Sequence, residues 1–241
     1  MRRFFVEEKN IDGETVYITG SDVKHLRNVL RMQAGAKIIC VDGTGTELTV
    51  ALTEIKEQEI TGKILSREKP AKEALVKVTL AQSVPKSDKM EQIIKMCTEL
   101  GVAEFIPVTS ERVVVQGDFS KKIERWQRIA EEAAKQAGRT VVPALKPARE
   151  FMALIDGLES WEKALMPWEA QKEATIAKAL GNMKPKNLIL FIGPEGGYSQ
   201  DEAEAAESNG AALVSLGKRI LRVETAAPVA VTLVMKEYGE L

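Results

Sequence analysis

Two glycine turns near the end of the chain carry the residues best suited to chemistry. In NLILFIGPEGGYSQDEAEAAE, residues 187–207, an apolar run stops at Gly193, turns through Pro194, Glu195, Gly196 and Gly197, and opens a helix. A strand–turn–helix of this kind aims backbone N–H groups at a ligand beyond the strand end. The turn lacks the Lys-Ser/Thr of a phosphate loop and the glycine spacing of the dinucleotide fingerprint. Glu195 inside it would repel a phosphate. A ligand carrying hydroxyls, an amine or a cationic sulfonium fits better. The plainer alternative is that Gly196 and Gly197 only permit positive φ in a tight bend that Pro194 stiffens.

The second turn lies in AALVSLGKRILRVETAAPVAV, residues 211–231, again strand, glycine and helix. Leu216, Ile220 and Leu221 are apolar residues in a loop, where they can wall a flat ring such as adenine. Thr225 is placed to cap the following helix, with Pro228 in its first turn. Two such loops at adjacent strand ends, separated by one helix, point to one shared pocket.

The elements that position these turns follow from periodicity. After residue 70 apolar strands alternate with helices: VKVTLAQSV, a helix over 88–100, EFIPVTS, a long helix over FSKKIERWQRIAEEAAKQAG, then REFMALIDGL, KALMPWEA, KEATIAKAL and the segments above. That alternation predicts a parallel sheet covered by helices on both faces. In the 88–100 helix Met90, Ile93, Ile94, Cys97 and Leu100 form the apolar face, Asp88 and Glu91 have capping-box spacing, and Gly101 is a stop. Trp126, Ile129, Ala130, Ala133, Ala134 and Ala137 make the inner face of the long helix. From Ala226 to Met235 the last helix is apolar on nearly every side and is expected to be buried all round, in a core or against a second subunit.

Residues 1–70 have a different pattern. TVYITG, KIICVDG, ELTVALTEI and EITGKILS are strands bounded by glycine and aspartate, interrupted by the helix SDVKHLRNVLRM. There Val23, Leu26, Val29, Leu30 and Met32 face inward, Ser21 or Asp22 caps, and Lys24, Arg27 and Arg31 face outward. A small β-barrel is expected, joined to the second domain by the charged segment SREKPAKEALVK.

The chain of 241 residues balances 34 basic against 35 acidic side chains, a net charge of −1. That balance argues against binding duplex nucleic acid through phosphates alone, so any RNA partner must be held by local basic clusters. Such clusters are Arg2 and Arg3, Lys24 with Arg27 and Arg31, Lys121 to Arg128, and Lys218 to Arg222; each alone also reads as a solvated face. His25 is the only histidine and Cys40 and Cys97 lie far apart, which excludes a multi-histidine metal site and gives no disulfide framework. No apolar run is long enough for a membrane span, and MRRFFVEEKN lacks the features of a signal peptide, so a cytoplasmic protein is expected.

IGPEGGYS and LGKRILRVETA together resemble the two cofactor loops of the SPOUT methyltransferases, specifically the bacterial family that methylates N3 of a uridine in 16S ribosomal RNA. KSDKMEQIIKMCTELGV and RWQRIAEEAAKQAGR, with Gln136 and Arg139, are similar to that family's two helix signatures, and MRRFFV and HLRNVLRM to its PUA-like domain. The match covers nearly the whole chain.

The resemblance implies an α/β protein with a PUA-like RNA-binding β-barrel over 1–70 and a SPOUT domain over 71–241. It also implies a trefoil knot near the C-terminus and a homodimer. It implies S-adenosyl-L-methionine against Ile192, Gly193, Pro194, Glu195, Gly196, Gly197, Leu216, Gly217, Ile220, Leu221, Thr225 and Ala226. A third strand end around Leu165 and Met166 would complete the pocket, with Trp168 in the core. Small-subunit ribosomal RNA is the implied partner, touched by Arg3, Arg27, Arg31 and Arg139, with His25 structural. For the reaction, Arg222 would stabilise charge on the uracil oxygens, and Glu224 would act as general base or orient Arg222. The plain alternative for that pair is an ion pair closing the loop. Ribose 2′-O methylation and a non-catalytic RNA-binding assembly factor are the competing functions.

Overall fold

The computed structural model describes residues 1–70, 72–114 and 117–241, which fall into two compact units, Met1–Glu73 with Ala134–Val142, and Ala74–Ala133 with Pro143–Leu241. The linker expected over 66–77 includes Ala71, which lies outside the described residues.

In the first unit six strands form one curled sheet: β1 (Arg3–Phe5), β2 (Ile11–Asp12), β3 (Thr15–Thr19), β4 (Lys37–Val41), β5 (Glu47–Ile55) and β6 (Glu59–Glu68). Their order is β1-β4-β5-β6-β3-β2, antiparallel except for β1 with β4, so β1 and β2 are the two ends of a half-barrel rather than neighbours in a closed one. Irregularities in the β5–β6 register at Thr49/Val50 and Leu52/Glu54 bend the sheet. Gly62 makes the bend possible, because a Cβ there would stand 2.3 Å from a methyl of Val50. Alternate residues Val16, Ile18, Ile38, Cys40, Leu48 and Val50 fill the concave side with Leu26.

The helix of this unit departs from its expected form. Four α-helical residues, Ser21–Lys24 (α1), lead into a π-helical turn, His25–Val29, closed by a bond from Leu30 N to His25 O of 2.9 Å. The wider turn shifts the phase of the apolar stripe, so Val23 and Leu26 are buried while Val29 is 70% exposed. Neither Ser21 nor Asp22 caps: the N-cap is Gly20 at φ 70°.

The segment 134–142 is tied to this unit by the ion pair of Lys135 with Asp22, 3.4 Å apart, and by the carboxylate of Glu73. Glu73 accepts from Arg139 Nε at 3.1 Å and Nη2 at 2.6 Å, and from the backbone N–H groups of Thr140 at 2.8 Å and Val141 at 3.1 Å. Burial opposes its ionisation, but Arg139 and the two N–H donors hold the carboxyl below its ordinary value. A depressed pKa gives stability that is full above the ordinary carboxylate range and is lost as pH falls through the folded-state value. Glu73→Gln is therefore expected to cost about 2 kcal/mol at neutral pH, read from urea midpoints, with the difference from wild type vanishing in acid.

The second unit is built on seven strands, all parallel: β7 (Lys77–Ser83), β8 (Glu104–Thr109), β9 (Ala144–Leu145), β10 (Arg149–Glu150), β11 (Lys163–Pro167), β12 (Asn187–Ile192) and β13 (Ala212–Val214). The order is β10-β8-β7-β12-β11-β13, with β9 on β8. Along β12, Ile189 and Phe191 join a core with Phe151, Leu154, Ala203 and Ala206, from α4 (Phe151–Ile155) and α6 (Gln200–Ser208). The intervening Leu188 and Leu190 are also buried. Both faces are covered, which is why these strands read as continuous apolar runs. Between these elements stand α2 (Lys89–Glu99), the part of α3 (Ser120–Ala137) that ends at Ala133, α5 (Ile176–Leu180) and α7 (Val223–Glu237), with α2 and α5 packed against α7.

Three helix-end expectations are corrected. Asp88 precedes α2 at φ −89°, ψ 9°, outside the extended region a side-chain cap needs, and makes no capping bond; its carbonyl takes the N–H of Glu91 instead. The capping box that does form is Ser199–Glu202 at α6, a spacing legible in SQDE. At α7 the N-cap is Arg222, so Thr225 lies in the first turn and Pro228 is the sixth helical residue. Pro228 has no N–H to offer the carbonyl of Glu224.

Nor is α7 buried all round. Val223, Ala227, Ala230, Val231, Val234 and Met235 are buried, whereas Pro228, Val229 and Leu233 are half-buried and Thr225 and Thr232 exposed. Along α3, Trp126, Ala130, Ala133 and Ala134 are buried as expected, Ile129 is half-buried and Ala137 is exposed.

Candidate active site

The two glycine turns and the loop after β11 enclose a cavity of about 600 Å³ at the C-terminal ends of the strands of the second unit, within the range of roughly 300–1,000 Å³ usual for ligand sites. Each wall comes from residues just past a strand end, where a buried parallel sheet first opens to solvent.

The first wall is the turn Gly193–Gly197. It closes with a bond from Gly197 N to Pro194 O of 2.9 Å, Gly197 sitting at φ 67°. Gly193 is needed for a different reason: a Cβ there would lie 3.2 Å from the Tyr198 ring and 3.3 Å from the carbonyl carbon of Gly197. Tyr198, 2% exposed, fills the space beneath the turn and packs on Phe151 with ring centroids 5.0 Å apart. Burial pushes its phenol above the ordinary value. Its hydroxyl accepts from Ser83 Oγ at 3.3 Å, which accepts from Ser110 Oγ at 3.0 Å. Gln82 joins the ends of β7 and β12 through a bond from Nε2 to Ile192 O of 3.3 Å. Arg112, after β8, donates to Gly196 O at 2.8 Å and Tyr198 O at 3.4 Å. Nothing in the spacing of SERVVV marks Arg112 for that task.

The second wall is Ser215–Ala226. Leu216 and Leu221 are half-buried and Ile220 is 88% exposed. Gly217 adopts φ 118°, and a Cβ on it would meet nothing within 4 Å. The third wall begins at Pro167 and continues through Trp168 to Lys172, with Trp168 N donating to Val214 O at 3.0 Å. Leu165 and Met166, expected to line the pocket, are 0% exposed inside β11; their side chains belong to the sheet. Trp168 packs partly on the core, as expected, and also lines the cavity.

Of the other expected ligand contacts, Ile192, Gly193, Pro194, Glu195, Gly196, Gly197, Leu216, Gly217, Ile220, Leu221 and Ala226 line the cavity, and Thr225 does not. Arg222 and Glu224 line it as well, but no bond joins them among the described residues. Glu224 instead faces Lys89, with Oε2 3.8 Å from the ammonium. That oxygen is buried and accepts no hydrogen bond among the described residues.

Lys89, which the sequence reading passed over, is the electrostatic centre of this wall. Its ammonium lies 2.8 Å from Glu195 Oε1, and the same oxygen takes the backbone N–H of Lys86 at 3.1 Å. Burial opposes the shift, yet Lys89 and that N–H hold the Glu195 carboxyl below its ordinary value. The bond to Glu195 in turn raises the Lys89 pKa. The negative charge of the turn is therefore partly neutralised, while Glu169 adds a third carboxylate to the lining.

The first unit holds the expected RNA contacts, and they differ in availability. Arg31 is exposed; Arg27 is half-buried and donates to Glu57 O at 3.2 Å. Arg3 is ion-paired to Glu47 with 16% of its side chain exposed. Arg139 is 6% exposed and bound to Glu73, so it is a structural clamp rather than a surface contact. His25 is exposed and sits edge-on to Phe4, ring centroids 6.2 Å apart. Among the described residues no group of three His, Cys, Asp or Glu could hold a metal ion, and no helix is long and apolar enough to cross a membrane.

Residues 72–235 match the family model of an RNA methyltransferase domain, and residues 18–65 that of an RNA methyltransferase PUA domain. The ribosomal RNA small subunit methyltransferase E of Bacillus subtilis is 35% identical over 94% of this chain and 93% of its own length. That of Aquifex aeolicus is 31% identical over 98% of this chain and 99% of its own. Among solved structures, a ribosomal RNA small subunit methyltransferase E from Neisseria gonorrhoeae bound to S-adenosyl methionine superposes with a TM-score of 0.87 at 32% identity, covering 99% of this chain and 98% of that one. A putative methyltransferase from Legionella pneumophila with its bound cofactor gives 0.88 at 28%, covering 98% and 96%. With a family model spanning the whole second unit's sheet and relatives aligned end to end, the chain belongs to the ribosomal RNA small subunit methyltransferase E family.

Proposed function

We propose that this chain transfers a methyl group from S-adenosylmethionine to N3 of a uridine in small-subunit ribosomal RNA. The observation that carries the reading is the single cavity built by both glycine turns, apolar along Leu216, Ile220 and Leu221 and lined by three carboxylates. These residues fit the donor. The apolar wall suits its adenine, the glycine backbone its ribose, and Glu169, Glu195 and Glu224 its positive charge. The buried Oε2 of Glu224, which accepts no hydrogen bond among the described residues, is a further acceptor in the same wall. When bound, the donor supplies the electrophilic methyl carbon.

The chain's own residues do the rest. Uracil N3 attacks only after losing its proton, and its oxygens then carry the charge. Arg222, exposed at the cavity, donates to those oxygens, since a guanidinium stays charged and can serve two acceptors. Glu224 takes the N3 proton, and Lys89, with its ammonium 3.8 Å from Oε2, holds the side chain in place. Positioning the base against the donor supplies roughly 7–11 kcal/mol of the barrier reduction. Arg27 and Arg31 hold the RNA, whose target base must be unstacked to reach the cavity. The half-buried Pro228, Val229 and Leu233 of α7 supply the face of a homodimer, and a trefoil-knotted path is proposed for the C-terminal segment on the same family grounds.

The test is to incubate the protein and labelled donor with small subunits lacking the modification, then digest the RNA and identify the labelled nucleoside by mass spectrometry. N3-methyluridine is expected. A 2′-O-methylated nucleoside would replace the proposed specificity, and absence of both label and donor binding by calorimetry would point to a non-catalytic assembly factor.

A further inference from the structure

The charges lining the cavity are unevenly matched. Of its three carboxylates, Glu195 is bonded to Lys89 and Glu224 lies 3.8 Å from the same ammonium. Glu169 has no hydrogen bond or ion pair to its carboxylate among the described residues. Lys172, three residues on, gives its ammonium to the backbone carbonyl of Glu169 instead.

The position of Glu169 is nevertheless fixed. A bond from Gln171 N to Trp168 O of 3.1 Å closes a turn around it, and Gln171 Oε1 accepts from the N–H groups of Glu173 at 3.0 Å and Ala174 at 3.3 Å. Its carboxylate stands over the glycine turn: a Cβ on Gly197 would lie 2.9 Å and 3.1 Å from its two oxygens. An ordered, unneutralised carboxylate at the rim of a ligand cavity costs little while it is solvated and gains when a cation arrives.

We propose that Glu169 is a specificity-determining residue of the donor site, its carboxylate receiving a cationic group of the methyl donor, the sulfonium or the ammonium of the methionine part. The inference rests on the donor-binding reading above. A sulfonium neither donates nor accepts hydrogen bonds, so a protein recognises it through the field of a nearby anion. Where the sulfonium is the group received, the same field favours release of the product, whose sulfur is a neutral thioether.

The experiment compares wild type with Glu169→Gln by calorimetry at low salt, using S-adenosylmethionine, S-adenosylhomocysteine and the neutral 5′-methylthioadenosine. The variant is expected to bind S-adenosylmethionine about tenfold more weakly, with the deficit shrinking as salt rises. Binding of methylthioadenosine should stay within about twofold, since it carries neither cation. Loss for S-adenosylmethionine alone assigns the sulfonium; matched loss for S-adenosylhomocysteine assigns the ammonium. Unchanged S-adenosylmethionine binding, or a loss shared with methylthioadenosine, overturns the proposal. Failure of the wild type to bind any of the three would instead overturn the donor-binding reading, so the two failures are distinguishable.

Discussion

Arg222→Ala is expected to lower single-turnover methylation by about 100- to 1,000-fold, the usual cost of removing one donor to a developing oxyanion, while donor affinity changes little. The split follows from position. Arg222 is the N-cap residue of α7, with an extended backbone and a side chain exposed at the cavity, so the substitution removes a charge without unpacking a core. The helix keeps its first bonds, because the Arg222 carbonyl that receives Thr225 N at 2.8 Å and Ala226 N at 2.8 Å remains. Lysine at this position should recover only part of the rate, since an ammonium cannot serve two oxygens in the planar geometry of a guanidinium. Calorimetry and rapid-quench assays on the same preparation separate the outcomes. Equal losses in binding and turnover would move Arg222 from the reaction to the architecture of the loop.

Gly193→Val should remove donor binding by about 100-fold or more, because misplacing groups by one ångström is enough for such losses. Valine would press a Cβ against the Tyr198 ring at 3.2 Å and the Gly197 carbonyl carbon at 3.3 Å. Neither can yield easily: the ring is wedged on Phe151 and the turn is held by Arg112. The overpacking itself should cost roughly 1–3 kcal/mol of stability, which leaves the fold measurable by thermal melting. Tyr198→Phe keeps the ring and should leave donor binding nearly intact. Tyr198→Leu, added to Gly193→Val, makes room and should restore part of the affinity. If the double variant binds no better than Gly193→Val alone, the steric explanation fails.

The sequence by itself determined four of the six strands of the first unit, the parallel sheet of the second and both glycine turns. Those features are local: strand runs such as NLILFI, the helical spacing of Met90 to Cys97 and the glycines at strand ends are each written in consecutive residues. It also placed eleven of the expected donor contacts on the cavity wall, from Ile192 through Ala226, because each wall is a continuous stretch of chain.

What only the tertiary structure decided is how residues distant in sequence divide their bonds. Lys89 bridges toward Glu195 and Glu224 across more than a hundred residues, and Arg112 reaches Gly196 across 84. No periodicity encodes such pairs. Arg139 was expected to touch RNA, yet Glu73 holds it in the fold, and Leu165 and Met166 were expected at the pocket, yet their side chains lie in a strand covered on both faces. The helix ends erred for a related reason. A capping residue must have both the right side chain and an extended backbone, and the second is set by the chain's path into the helix: Asp88 lacked it, Ser199 had it.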